Sequence, residues 1–252
     1  MAPMDPTKLR ALLEGVRTGE VALDAAIAAL RDLPFTDLGY AMVDHHRALR
    51  QGVPEVIFGE GKTAEQILGI ARSIVDHDAV CLITRVSPEK ARAVLDAFPH
   101  ARHAEAARCV TITKGPIPPR GSGPVAVVAA GTSDMPVAEE ACETLAALGR
   151  EVIRMYDVGV SGIHRILMRR EELGRAVAII VCAGMEGALP SVIGGLTDRP
   201  VIGVPTSIGY GTAMSGFTPL MAMLTSCASG VTVVNIDNGF GAAFAAARID
   251  RG

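Results

Sequence analysis

The sequence predicts an α/β protein: a doubly wound parallel sheet in three αβα layers over the C-terminal half, with a smaller mixed α/β domain before it. Three observations carry this. Short apolar runs alternate with helical or small-residue segments in the second half: "PVAVVAAG", "REVIRMYDVG", "AVAIIVCAG", "RPVIGVPTS" and "GVTVVNID". Within these runs apolar residues follow one another, as in strands buried on both faces. Between the halves, "GPIPPRGSGP" packs four Pro and three Gly into ten residues, which marks a boundary. We therefore divide the chain into an N-terminal domain (1–115), a linker (116–124) and a second domain (125–252).

In chain order, residues 6–31 read as two short helices, "PTKLRALLEGVRTG" and "EVALDAAIAALRDL", stopped by Gly19 and by Pro34. "PEVIFG" reads as a strand. "TAEQILGIARSIVDH" is a helix whose Thr63 cap and Gln66 form a capping box. "DAVCLITRV" is a second strand. "SPEKARAVLDAF" opens a helix on Ser87 with Pro88 in its first turn, and "ARCVTITKG" is a third strand. Beyond the linker, "MPVAEEACETLAALG" and "GIHRILMRREELG" each read as an amphipathic helix stopped by Gly. The small residues of "GFGAAFAAARI" suit close packing against a neighbour.

Composition removes several function classes. Aromatic residues make up 4% of the chain and Trp is absent, which disfavours a base-stacking surface. A net charge of −3 with interspersed signs lacks the basic stripe of a nucleic-acid binder. The five cysteines, at 81, 109, 142, 182 and 227, form no CxxC pair, so neither a disulfide framework nor a zinc site is expected. No stretch is long enough to span a bilayer, and the N-terminus has no apolar h-region. The expectation is a cytoplasmic protein that engages neither membrane nor nucleic acid.

In a doubly wound sheet, ligands bind outside the carboxyl ends of the strands. Here those ends open into "AGTSDM", "DVGVSGIHR", "CAGMEGALP", "VPTSIGYG" and "NIDNGFG", a set of glycine-rich loops whose amides can approach an anion closely. Two nucleotide motifs are absent: "VIFGEGKT" has Val56 where a P-loop needs its first Gly, and "GTSDMP" is no dinucleotide fingerprint. With no Lys after Lys114, phosphate binding in the second domain falls to Arg, amides or helix ends. Ser133 and Asp134 stand at a helix start, as cap, ligand contact or both. His164 and Arg165 follow "GVSG" in a manner that suits an anion. Glu186 is a carboxylate in a glycine-rich loop directly after a buried strand. Cys227, unlike the other cysteines, lies among Ser226, Ser229 and Gly230 beside a loop.

"AGTSDMPVAEEA", "DVGVSGIHR", "AGMEGALPSVIGGL", "PVIGVPTSIGYG" and "LTSCASGVTVVNIDNGFGAAF" together resemble the LarB family of nickel-pincer nucleotide cofactor biosynthesis. "DHHRALRQGVPEVIFGEGKT" is similar to that family's N-terminal domain, so the resemblance covers residues 37–247. The second domain also resembles the PurE-type aminoimidazole ribonucleotide carboxylases, with "GTSDMP" and "SGIHR" as their Ser-Asp and His-Arg loops. The resemblance implies that nicotinic acid adenine dinucleotide (with NAD as an analogue) and CO2 or bicarbonate give pyridinium-3,5-biscarboxylic acid mononucleotide and AMP. It implies Cys227 as nucleophile and Glu186 as base, with partial desolvation raising the pKa of Glu186. It further implies ligand contacts from Ser133, Asp134, His164, Arg165, Gly184, Met185 and Ser207. In the N-terminal domain, Asp44, Arg47, Arg50 and Lys62 are the candidates for the adenylate. No tightly bound cofactor or protein-held metal is expected. Mg²⁺ stays open for the phosphoanhydride step, through Asp134 or the ligand's own oxygens. A homo-oligomer, an octamer as in PurE-type folds, is also implied. An aminoimidazole ribonucleotide carboxylase or mutase, or a nucleotide-binding regulator, is the alternative.

Overall fold

The structure is a computed structural model that describes residues 6–31, 35–47, 51, 53 and 55–250. The chain divides into two compact units, residues 1–103 with 108–117, and residues 104–107 with 118–252.

The first unit opens with helices Pro6–Thr18 and Leu23–Arg31. Gly19 follows the first of them at φ 78°, the left-handed position where a helix stops most easily on glycine. The stop read at Pro34 lies outside the described residues. Strand β1 (Thr36–Asp37) pairs antiparallel with β2 (Met42–Val43). Strands β3 (Val56–Phe58), β4 (Val80–Thr84), β5 (Arg102–Ala104) and β6 (Cys109–Thr113) form a sheet in the order β3-β4-β6-β5. It is mixed, with β3 parallel to β4 and β4 antiparallel to β6. The strands β1, β2 and β5, of two or three residues each, are too short to show any hydrophobic period in the sequence.

Helix Ala64–His77 carries the expected capping box: the Gln66 N–H donates to Thr63 Oγ1 at 3.2 Å, and the Thr63 N–H to Gln66 Oε1 at 3.0 Å. In helix Pro88–Ala97, Ser87 accepts from the Lys90 N–H at 3.4 Å. Ile67, Ile70 and Ile74 of the first helix and Val94 of the second pack with Ile57, Cys81, Ile83 and Val110 of the sheet to form this unit's core.

In the second unit, β7 (Val125–Ala129), β8 (Val152–Met155), β9 (Ala178–Ala183), β10 (Val201–Pro205) and β11 (Val231–Val233) make an all-parallel sheet in the order β11-β10-β9-β7-β8. Every residue of β7, β9 and β10 is buried, so alternate residues serve two cores. Val125, Val127, Ile180 and Val204 face helices Met135–Ala147 and Gly239–Ile249. Ala126, Val128, Ile179 and Val181 face Ile166, Leu173, Ile193 and Met223 on the other side. The α/β class and the doubly wound parallel sheet are as the sequence predicts.

Two details differ. "GIHRILMRREELG" is not one helix but a 3₁₀ turn at Val160–Gly162, a short helix His164–Leu167 and a second at Arg170–Arg175. The break falls at Arg169, whose guanidinium turns back to the Arg154 carbonyl at 3.1 Å and clamps the Glu172 carboxylate at 2.6 and 2.7 Å. The small residues of "GFGAAFAAARI" are spent inside the chain. Ala242, Ala243 and Ala246 pack on Met135–Ala147, and a Cβ at Gly239 would come 2.2 Å from the Val137 carbonyl oxygen. Among the described residues, no helix is long and apolar enough to cross a membrane.

One buried acid marks the first unit. Asp78 ends helix Ala64–His77, its N–H bonded to the Ile74 carbonyl at 2.6 Å. Burial pushes its carboxyl up to about 6, only partly offset by the charge of His77. A carboxyl that titrates higher folded than unfolded favours folding at low pH, and that contribution is lost as pH rises through about 6. Asp78→Asn is therefore expected to unfold at higher temperature than the parent above that pH, with the gap closing towards about pH 4. Thermal melts across this range decide it; parallel profiles would rule the argument out.

Candidate active site

The strand order makes the space between β7 and β9 the point where the chain's winding reverses, the position at which open α/β sheets take ligands. A cleft of about 710 Å³ opens there. Ala130, Gly131, Ser133 and Asp134 line it from the loop after β7, and Gly159, Val160 and Ser161 from the loop after β8. Ala183, Gly184, Met185, Glu186, Ala188 and Leu189 come from the loop after β9, with Ile208, Gly209 and Tyr210 beyond β10.

Asp134 ties these loops together. Its carboxylate is buried, with Oδ2 accepting from the Gly131 N–H at 2.9 Å and Oδ1 from the Thr206 hydroxyl at 2.6 Å. The first bond closes the 3₁₀ turn Thr132–Asp134; the second reaches across the sheet edge to the end of β10. Asp134 thus does not cap helix Met135–Ala147 with its side chain. It braces the cleft floor, while Ser133 beside it stays exposed. Thr206, fully buried, was not among the sequence candidates; its place in "VPTSIGYG", next to Ser207, was the only hint. Ser207 is exposed, and its N–H donates to Asp237 Oδ1 at 2.8 Å.

Glu186 stands at the apex of a tight turn. Met185 has φ 52° and Gly187 φ 69°, so left-handed residues flank it on both sides. The Met185 N–H bonds to the Ile208 carbonyl, and the Gly187 N–H to the Gly184 carbonyl, both at 2.9 Å. A Cβ at Gly187 would lie 2.8 Å from the Cα of Pro219, and one at Gly184 would lie 2.3 Å from the Ile208 oxygen. Only glycine fits either place, and the result is a carboxylate held out into the cleft. It is exposed, so the desolvation expected for it does not come from its own chain.

The remaining sequence candidates fall elsewhere. Arg165 does not line the cleft; its Nη1 pairs with Asp157 Oδ2 at 2.9 Å and its Nε donates to the Gly162 carbonyl at 3.4 Å. It braces the loop that carries Val160 and Ser161. His164 is exposed at the start of its short helix, also outside the lining. Cys227 is exposed but does not line its own chain's cleft. It lies between helix Phe217–Leu224 and β11, four residues before that strand begins, and Ser226 beside it is bonded to Ser191 at 2.7 Å. Cys227 and Glu186 are therefore not brought together around one cleft within one chain. In the first unit, Arg47 pairs with Glu55 at 2.5 Å and Asp44 Oδ1 accepts from the His46 N–H at 3.2 Å, while Lys62 lies in the Gly59–Thr63 turn. Arg50 lies outside the described residues.

The other cysteines are buried, and burial pushes the Cys142 thiol up to about 11 and that of Cys182 far higher. Alkylation of the native protein should label Cys227 first and leave Cys142 and Cys182 untouched until unfolding. Labelling of either buried thiol at a matching rate would contradict the assignment. Thr206→Val strips Asp134 of a buried donor and should cost about 1–3 kcal/mol in urea unfolding. An unchanged midpoint would mean that the bond braces nothing.

The family described as LarB/PurE-like N-terminal domain matches residues 35–114, and that described as AIR carboxylase matches residues 124–251. An uncharacterised protein of Methanocaldococcus jannaschii is 40% identical over 243 residues, 93% of each chain. An N5-carboxyaminoimidazole ribonucleotide mutase of Pyrococcus horikoshii is 34% identical over 134 residues, covering 50% of this chain and 71% of its own. The corresponding mutase of M. jannaschii is 31% identical over 130 residues, covering 50% of this chain and 77% of its own.

Proposed function

Since the chain belongs to the LarB family, a carboxylase/mutase-type family with a PurE-like C-terminal domain, we propose that it carboxylates the pyridinium ring of nicotinic acid adenine dinucleotide and hydrolyses the phosphoanhydride. The products are pyridinium-3,5-biscarboxylic acid mononucleotide and AMP. The observation that carries this reading is Glu186, held by a strained turn over a cleft of mononucleotide size at the sheet's switch point.

The chemistry needs a nucleophile and a base. A pyridinium ring is electron-poor and does not attack CO2. Addition of the Cys227 thiolate to the carbon opposite nitrogen moves an electron pair onto the nitrogen and leaves a neutral, enamine-like ring. Its neighbouring carbon then bonds to CO2. Glu186 takes the proton from that carbon, and rearomatisation expels the thiolate.

Because Cys227 lies outside its own cleft, the thiol in this scheme comes from a second copy. The exposed Phe217, Met221 and Leu224 on the helix before it support a homo-oligomer, an octamer by family likeness. Burial of Glu186 under that copy would supply the desolvation that its own chain does not. Asp134 is buried and both its oxygens accept bonds that brace the loops, so a Mg²⁺ for the phosphoanhydride step would rest on the ligand's own oxygens. Among the described residues, no three His, Cys, Asp or Glu side chains converge as metal ligands. Free thiols suit a reducing, cytoplasmic setting. The likeness to the two mutases favours a second reading, aminoimidazole ribonucleotide carboxylation or mutation, which needs no thiol.

Incubation with nicotinic acid adenine dinucleotide and bicarbonate, read by mass spectrometry, separates the readings. Wild type should release AMP and yield the carboxylated ring, whereas Cys227→Ala and Glu186→Gln should each yield no carboxylated product. A mixture of the two variants, exchanged as subunits, should recover part of the activity. Carboxylation surviving in Cys227→Ala removes the thiolate mechanism, and no recovery on mixing removes the second-copy thiol. Turnover of aminoimidazole ribonucleotide instead would select the mutase reading.

A further inference from the structure

One wall of the cleft around Glu186 is a second strained turn, whose outermost residue the proposed chemistry leaves unused. After β10 the chain runs through "SIGYGTAMSG", residues 207–216. Met214 and Ser215 hold left-handed angles there, φ 49° and 52°, although neither is glycine. Both ends of the stretch are fixed. At its start the Ile208 carbonyl accepts the Met185 N–H at 2.9 Å. Towards its end Ala213 is buried, with its N–H bonded to the Tyr210 carbonyl at 3.1 Å, and the Thr218 hydroxyl donates to the Thr212 carbonyl. Tyr210 stands between these anchors, flanked by Gly209 and Gly211 at φ 149° and 57°. It lines the cleft, yet 82% of its surface is exposed. A ring held out on a strained span serves no core, and strain of this kind collects where a ligand is handled.

This turn abuts the one that carries Glu186. A Cβ at Gly209 would lie 3.6 Å from Met185 Sδ and 3.7 Å from the Met185 Cα, so Met185 packs beside the residue before Tyr210. Met185 is also the residue before Glu186. Glu186 and Tyr210 are thus each one residue from the contact between the two turns. A planar ring brought to the Glu186 carboxylate comes beside the Tyr210 face, with the Met185 thioether as a polarisable surface next to it.

The ionisable side chains that line this cleft, Asp134, Glu186 and Tyr210, are all acids. The face of an aromatic ring carries the negative part of its quadrupole and attracts a cation laid over it. A positively charged ring gains from such walls, and a neutral ring of the same shape gains less.

We propose that Tyr210 is a specificity-determining residue of this cleft: its ring covers the substrate's ring and selects the cationic, oxidised pyridinium over the neutral, reduced form. The proposal rests on the reading that a pyridinium dinucleotide is the substrate. It adds the means by which a reduced dinucleotide, alike in its phosphates and its adenosine, is kept from occupying the site.

Calorimetric titration of the full chain with NAD and, separately, with NADH tests this on wild type, Tyr210→Phe and Tyr210→Leu. Wild type should bind NAD more tightly than NADH. Tyr210→Leu should weaken NAD by roughly three- to thirtyfold, the worth of one cation–π contact, and NADH by less. Tyr210→Phe, which keeps the aromatic face, should keep the wild-type ratio. A ratio unchanged in Tyr210→Leu overturns the proposal, even if both affinities fall. Should that variant also elute as a smaller assembly, the ring belongs to an interface with a second copy instead. Carboxylation of nicotinic acid adenine dinucleotide, measured on the same samples, separates the two levels. Product from wild type beside an unchanged ratio overturns the role of Tyr210 alone. No product and no binding of either dinucleotide overturns the carboxylation reading and this proposal with it.

Discussion

The buried carboxylate of Asp134 is the interaction on which the second unit's working edge depends. A polar side chain with 4% of its surface exposed is costly unless it is well bonded, and here a backbone amide and a threonine hydroxyl answer it. Those donors come from the loop after β7 and from the end of β10, two strands away in the sheet. The carboxylate therefore fastens one wall of the cleft to another. The glycine-rich loops between them keep backbone geometries that would otherwise have many alternatives.

Strain at the edge follows from that fastening. Met185, Asp157 and Asp237 all adopt left-handed backbone angles without being glycine, and all three lie in loops after the parallel strands. Such conformations persist where the surroundings over-determine them. Asp157 is held by Arg165, Asp237 receives the Ser207 N–H, and Met185 is pinned to Ile208. The residues that read as anion binders in the sequence thus divide by role. Some line the cleft, and others, Arg165 among them, hold the loops in place.

The two outer layers of the second unit treat their apolar surface differently. On one side, alanines and glycines let helices Met135–Ala147 and Gly239–Ile249 approach until Gly239 meets a carbonyl. On the other, helix Phe217–Leu224 buries Pro219 and Met223 but leaves Phe217, Met221 and Leu224 in the open. A helix apolar on so much of its circumference is ordinarily covered. Cys227 lies three residues beyond its end, which connects the question of assembly with that of the nucleophile.

Most of the fold was legible because its signals are local. Continuous apolar runs such as "AVAIIVCAG" declare strands buried on both faces, and the Thr63 and Ser87 caps each depend on residues within one helical turn. Glu186 stood out for the same reason, as a charge set against a buried strand. Strands β1, β2 and β5 were too short to carry a period, and the break at Arg169 depends on a carbonyl fifteen residues away. The pairing of Asp134 with Thr206, 72 residues apart, arises only when parallel strands bring their carboxyl ends to one edge. The sequence by itself determined which residue types collect at that edge. Tertiary structure alone decided which of them face the cleft and which brace it, because those assignments are distances between loops that no local pattern encodes.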